Sequence, residues 1–349
     1  MLNSLDYSIV NARRVWTNDR ILIFGGTGSL GGALIRRFVS MGLYVVAFSR
    51  DEAKHWMLKQ QYAEAVASGH LTFIVGDVRD PNAVKNAIRT CVPHHIIIAS
   101  ALKQVDTCEN QPNESIATNI LGVQNVVDAV NSVDFAPNVC FVSTDKACSP
   151  INVYGMCKAV AERLVTADRS LHTRLGNATS LESRHFVVRY GNVLDSRGSV
   201  IPLFQYQSKN CAQFTLTHPD MTRFLMTLDD SVDLIIDAMS NALSGDVWIP
   251  QLSSMRIIDL ANIFAEKYSK PIKVVGIRPG EKLHETLIND VESQRMYEVK
   301  GMSGNPRYVL HQTSEYDDKN IDTVKQYTSA DDVMSKSDLE DYLNSLKLI

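Results

Sequence analysis

No run in the 349 residues approaches the roughly 18 uncharged residues that a membrane helix requires, so no membrane span is expected. Net charge is also scarce: 35 basic against 39 acidic residues leave −4, which offers no global attraction to nucleic acid or anionic lipid. The six cysteines (Cys91, Cys108, Cys140, Cys148, Cys157 and Cys211) lack metal-ligand spacing. They read as reduced thiols, and Cys148 and Cys157 as small buried fillers rather than nucleophiles. Arg13, Arg14 and Arg20 are not followed by the apolar core of a signal peptide, so a cytoplasmic protein is expected. No internal repeat or low-complexity segment interrupts the chain.

What is present is an alternation of apolar runs with helical patterns, the signature of a parallel sheet covered on both faces. Strands are expected at 20–24, 44–48, 71–75, 95–99, 139–142 and 185–189, with helices at 29–41, 114–130 and 153–167. The polar run between 168 and 184 reads as a surface loop. Beyond about residue 193 the rhythm weakens, and helical pieces remain at 229–243, 257–267 and 336–346. The predicted fold is therefore α/β: a Rossmann-type doubly wound parallel sheet with a smaller α/β substrate-binding lobe. Its expected parts are an N-terminal extension (1–19), a dinucleotide-binding domain (20–192) and an interleaved substrate lobe with a C-terminal tail (193–349).

Gly25, Gly28 and Gly31 follow the first strand directly and open a helix. Such glycines permit a tight turn and let the backbone approach a pyrophosphate at the positive helix end, with Ser29 in the same turn. Ser49 and Arg50 close the second strand, where an arginine can receive the 2′-phosphate of NADP. NADP is therefore expected over NAD; the bland alternative pairs Arg50 with Asp51 or Glu52. Asp77 and Val78, ending strand three, would lie against adenine, or Asp77 would simply cap a helix.

The chemistry concentrates in Ser143-Thr144-Asp145-Lys146 and, eight residues on, Tyr154-x-x-x-Lys158. Tyrosine and lysine one turn apart share a helical face. A lysine cation beside the phenol favours the phenolate, so the pair can take a hydroxyl proton as hydride leaves the same carbon. Asp145 and Lys146 add an acid and a second base that alcohol oxidation alone does not need, and this surplus points to elimination. Asn119 lies in a helix expected to pack beside the site, where it would hold a water or a backbone group or be a plain helix asparagine.

Several segments, GGTGSLG, SRDE (49–52), GDVRD (76–80), ALKQV (101–105), STDKACSPINVYGMCK, RYGNVLDSRGSVIPLF (189–204), MTRFLMTL (221–228) and RPGEKLHETLI (278–288), occur in a known family order. From about residue 20 to 290 the chain resembles soluble, inverting UDP-N-acetylglucosamine 4,6-dehydratases of the extended short-chain dehydrogenase/reductases. That resemblance implies oxidation at C4 by Tyr154 and Lys158, removal of the C5 proton by a Lys146 of depressed pKa, and protonation of the leaving C6 hydroxyl by Asp145, with Thr144 beside them. Reprotonation at C5 from the opposite face would invert that centre.

The same resemblance adds Thr27, Leu30, Ala99, Ala101 and Val193 to the cofactor site, together with Tyr154 and Lys158. For the UDP-sugar it implies Lys103, Asn192, Ser196, Arg197, Gly198, Ser199, Val200, Thr217, Arg223, Arg278 and Glu281, and a homo-oligomer from dimer to hexamer. The chain departs from the family pattern at Ser100, at Asp195 and in the YGMCK stretch, and no catalytic group is lost. Two other readings stay open: a 4-epimerase or 4-keto reductase that uses only Tyr154 and Lys158, and a non-catalytic NADP-binding protein.

Overall fold

The computed structural model describes residues 16, 18–167, 183–194, 198–302, 304–311 and 326–349. Six strands form in chain order: β1 (Arg20–Phe24), β2 (Tyr44–Ser49), β3 (Leu71–Val75), β4 (His95–Ile98), β5 (Asn138–Val142) and β6 (His185–Val188). Residues 95–98 are buried throughout, as a continuous apolar strand covered on both faces must be. Hydrogen bonding orders the sheet β3-β2-β1-β4-β5-β6, all parallel, with Ile21–Phe24 in register with both Val45–Phe48 and His95–Ile98. This is the doubly wound order, and its reversal point lies between β1 and β4, where ligands of such sheets bind.

Three strands beyond residue 193 extend the sheet past β6. Val247–Pro250 runs parallel to β6, Pro306–Leu310 pairs antiparallel with Val247–Pro250, and Met296–Lys300 pairs antiparallel with Pro306–Leu310 in turn. The purely parallel expectation is thus corrected at this edge. A parallel return needs a long crossover, whereas these two strands are joined by residues 301–305 alone. Among the described residues no helix is long and apolar enough to cross a membrane.

Apolar side chains gather on each face of the sheet. One face packs helix Ser29–Ser40 against Leu228–Asn241, an interface edged by the ion pairs Arg37–Asp233 (2.6 Å) and Arg36–Asp229. Helices 81–91, 122–131 and 153–166 cover the other. A third cluster is drawn from residue 194 onward and centres on Phe204, Phe214 and Phe264, whose rings lie edge-on 5.5–5.9 Å apart.

The helix expected at 114–130 is interrupted. Pro112–Ile116 and Gly122–Asn131 are α-helical, but Ala117–Leu121 between them is a π-turn. Such turns re-aim a side chain, and here the one re-aimed is Asn119. Its Oδ1 accepts from the Leu102 N–H (2.9 Å) and its Nδ2 donates to the Leu102 carbonyl (2.8 Å), fixing the backbone next to Lys103. The expected surface loop falls almost wholly on 168–182, outside the described residues.

Candidate active site

A cavity of about 710 Å³ opens at the carboxyl edge of the sheet. One end is the turn after β1. Gly25 adopts φ +91°, and a Cβ there would come within 2.7 Å of the Ser100 nitrogen; at Gly31 a Cβ would meet the Gly25 carbonyl oxygen at 2.5 Å. Only glycine fits either place. Gly28 is the N-cap of the following helix, which has no side-chain cap and no acidic residue in its first turn. Gly28, Ser29, Leu30 and Gly31 line the cavity, so an uncapped positive helix end borders it. The donor set fits the pyrophosphate of a dinucleotide. Ala99, Ala101 and Val193 line the same space.

Other residues assigned to the cofactor lie outside the cavity walls. Thr27 donates to Ser49 (3.0 Å), and the Ser49 hydroxyl meets His55 Nε2 at 2.7 Å, so that hydroxyl is already engaged. Arg50 pairs at 3.6 Å with Asp77 rather than with Asp51 or Glu52. Arg79 also grips Asp77, at 2.9 and 2.6 Å, so releasing Arg50 to a phosphate leaves Asp77 paired. Helix 81–91 is capped by Asp80 and not by Asp77, and Val78 is buried.

The chemical centre is built from two short elements in contact. After β5, Thr144 caps a single 3₁₀ turn, Asp145–Ala147, and its hydroxyl donates to Asp145 Oδ1 at 2.9 Å. Asn152 caps helix Val153–Thr166 through the Gly155 N–H (2.7 Å), and its amide donates to the Gly280 carbonyl (2.7 Å). A Cβ at Gly155 would stand 2.2 Å from the Lys146 carbonyl oxygen, so the glycine is what lets helix and turn touch. Thr144, Asp145, Lys146, Tyr154 and Lys158 consequently line one cavity.

Electrostatics divides these groups. Burial pushes the Tyr154 phenol up to about 12, with the Lys146 cation opposing and Asp145 adding to the rise. Burial also drives Lys158 down to about 7; its amine donates to the Val142 carbonyl (2.6 Å) and lies 4.2 Å over the Phe141 ring. Lys146 departs from expectation. Its Nζ sits 3.0 Å from Asp145 Oδ1 and 3.2 Å from Glu285 Oε1. Burial disfavours its charge, yet the two carboxylates outweigh burial and hold the ammonium above the usual lysine range. The expected depression is thus reversed.

Because Lys158 is held near neutrality in the fold but is an ordinary amine when unfolded, the unfolded chain binds more protons between about pH 7 and 10.5. Stability from this group therefore rises with pH across that window. Lys158→Met removes the penalty, so the urea stability of the variant relative to the parent is expected to be greatest at pH 7 and to shrink by pH 10. An unchanged difference would remove the burial argument.

The substrate residues are divided as well. Lys103, Asn192, Gly198, Ser199, Arg278 and Glu281 line the cavity. Asn192 Oδ1 and Ser199 Oγ are buried with no hydrogen-bond partner among the described residues, which suits polar ligand contacts. Arg278 pairs with Glu281 at 2.7 Å, its side chain 68% exposed. Val200, which starts helix 200–210, and Thr217 are not in the wall. Arg223 is a correction: its guanidinium donates to the carbonyls of Thr222, Leu283 and Lys282 at 2.7–3.2 Å, so it braces the 282–283 backbone instead of forking a diphosphate. Ser196 and Arg197 lie outside the described residues.

Cys148 and Cys157 are buried, and burial pushes the Cys148 thiol up to about 12, as an inert filler requires. Sequence reading missed Glu285, the second carboxylate on Lys146; its only signal was the glutamate ending the RPGEKLHE run.

A model of the polysaccharide biosynthesis protein family matches residues 21–305. UDP-glucose 4-epimerase of Rickettsia rickettsii (strain Sheila Smith) is 37% identical over 293 residues, covering 82% of each chain. The protein of that name from Rickettsia canadensis (strain McKiel) is 39% identical over 284 residues, 79% of each. Among solved structures, Pen from Bacillus thuringiensis has a TM-score of 0.84 at 30% identity, covering 95% of this chain and 99% of that one. DesIV, a dTDP-glucose 4,6-dehydratase from Streptomyces venezuelae solved with NAD and TYD bound, shares the fold at TM-score 0.63 and 19% identity, over 76% and 86% of the two chains. With its glycine turn and its Tyr154–Lys158 centre in one cleft, this chain belongs to the polysaccharide biosynthesis protein family and is an enzyme of the nucleotide-sugar dehydratase and epimerase group.

Proposed function

We propose that the chain dehydrates UDP-N-acetylglucosamine across C4 to C6 with inversion at C5, giving UDP-2-acetamido-2,6-dideoxy-β-L-arabino-hex-4-ulose. The observation that carries this reading is the surplus at the centre: Asp145 and Lys146 share the cavity with Tyr154 and Lys158. When bound, a nicotinamide dinucleotide (NADP on the strength of Arg50) supplies the hydride acceptor and returns the hydride at C6. Tyr154 takes the C4 hydroxyl proton, aided by the cation of Lys146 and the neighbouring Thr144 hydroxyl. Ketone formation at C4 acidifies the C5 proton. Lys146 becomes the base by passing its own proton across the 3.0 Å bond to Asp145, and the same shift loads Asp145 as the acid for the departing C6 hydroxyl. Burial of Asp145, which raises its pKa, favours that neutral pair.

Incubation with UDP-N-acetylglucosamine in deuterated water tests the reading. NMR of the product should show a 4-keto-6-deoxy sugar with deuterium at C5 and the inverted configuration. The second reading is a 4-epimerase, favoured by the Rickettsia relatives at 37–39% identity; it needs only Tyr154 and Lys158 and predicts UDP-N-acetylgalactosamine alone. Lys146→Ala is expected to lower dehydration at least about a hundredfold while leaving dinucleotide affinity within a few-fold. A near-parental rate would take Lys146 out of the chemistry.

A further inference from the structure

Lys146 faces two carboxylates at nearly equal distance, 3.0 Å to Asp145 and 3.2 Å to Glu285, and a proton leaving it could go to either. Only Asp145 lines the cavity; Glu285 does not. The surroundings of the two differ. Glu285 is 2% exposed, and Arg223 stands 3.7 Å from the same Oε1 that meets Lys146, with Lys282 near as a further cation. Its backbone is clamped: the Glu285 N–H donates to Ser329 Oγ (2.9 Å), and the Ser329 N–H donates to its carbonyl (2.8 Å). His284 turns the other way, onto the Thr222 hydroxyl at 2.8 Å. Asp145 is fully buried, with the Lys146 cation beside it and Tyr154 as a neighbouring acid; its Oδ2, like Glu285 Oε2, has no hydrogen-bond partner among the described residues.

We propose that Glu285 is a positioning residue that stays ionised between Lys146 and Arg223, so that the proton shared by this cluster resides on Asp145, facing the sugar. The proposal deepens the dehydratase reading and rests on its assignment of Asp145 as the acid. Electrostatics agrees: burial raises both carboxyls, but Lys146 and Arg223 bring Glu285 below the ordinary glutamate range, while Asp145 stays above the ordinary aspartate range. Two carboxyls with environments that push their pKa values apart can divide acid and counter-ion roles. Their titrations belong to the cluster as a whole, so the midpoints should move together when one member is changed.

The test is a ¹³C carboxyl NMR titration of the full-length protein labelled at aspartate and glutamate, with Asp145→Asn and Glu285→Gln spectra supplying the assignments. In the parent, Glu285 should titrate below Asp145. In Glu285→Gln, Asp145 becomes the sole anion beside Lys146, and its midpoint should fall by about one unit, a tenfold change in proton affinity. The alkaline limb of the dehydration pH–rate profile should move down with it, at unchanged KM, and Glu285→Asp should restore much of the parental profile. A purely structural glutamate would alter stability without moving either midpoint. Glu285 titrating at or above Asp145 in the parent overturns the proposal, even if the variant fails to fold. So does an Asp145 midpoint that is the same in parent and Glu285→Gln. If the parent yields no 4-keto-6-deoxy sugar yet the midpoints behave as stated, the dehydratase reading falls and the division of the carboxyls stands.

Discussion

Tyr154→Phe is expected to reduce turnover of the nucleotide sugar about a thousandfold or more, because on the proposed mechanism it deletes the group that takes the C4 hydroxyl proton. The substitution removes one oxygen and keeps the ring. Tyr154 is 8% exposed on a helix whose start is fixed by Asn152 and Gly155, so the fold should hold. Dinucleotide binding should also persist, since the glycine turn is built from a separate segment, residues 25–31. All later steps depend on the first oxidation, so neither solvent deuterium incorporation at C5 nor any 4-keto species should accumulate. This separates the variant from Lys146→Ala, in which oxidation at C4 should be slowed but elimination lost. Single-turnover measurements with the bound dinucleotide would distinguish the two, and a parental rate in the phenylalanine variant would assign the first proton transfer elsewhere.

Arg189→Ala should cost about 3–5 kcal/mol of stability, the penalty of stranding buried charges. Arg189 follows β6, is 2% exposed, and spreads its guanidinium over two carboxylates. Nε and Nη2 bond to Glu162 at 3.0 and 2.6 Å, and Nη1 and Nη2 to Glu292 at 2.8 and 2.9 Å, while Nη1 also donates to the Leu287 carbonyl at 2.9 Å. Ser143 donates to the same Glu162 at 2.5 Å, which ties the cluster to the residue before Thr144.

The sign with pH follows from Glu292. Burial raises it, but Arg189 outweighs burial and holds it below the ordinary range, so in the parent its contribution is present above the unfolded pKa and lost on acidification. Without Arg189 the buried carboxyl is left raised. The deficit of the variant should therefore be larger at pH 7 than at pH 5. Urea melts at both values measure this, and a pH-independent deficit would exclude the charge argument.

Much of this was legible in the residues. The apolar runs at β1, β4 and β5 are continuous because both faces of those strands are covered, and the glycine spacing is dictated by contacts as close as that between Gly31 and the Gly25 carbonyl. Asp145, Lys146, Tyr154 and Lys158 were readable because one turn and one helix hold all four.

What stayed hidden depends on partners remote in the chain. Glu285 reaches Lys146 from 139 positions away, and Arg223 looked like a phosphate ligand because nothing nearby shows its donors committed to the 282–283 carbonyls. The π-turn at 117–121 is a slip in hydrogen-bond register that accompanies the Asn119–Leu102 contact, and composition carries no trace of it. The two outer antiparallel strands are short, and Met296–Lys300 at the edge has no buried residue, so their alternation is too weak to read.

The missing side chain at Gly155 has a consequence for how the protein could change. With not even a methyl group's clearance to the Lys146 carbonyl, the acid–base turn and the tyrosine helix pack as a single jaw. The turn around Arg278 and Glu281 is held to that helix by the Asn152–Gly280 hydrogen bond but leaves the Arg278 side chain exposed. New sugar preferences should accordingly arise at such exposed positions, with the close-packed jaw inherited intact.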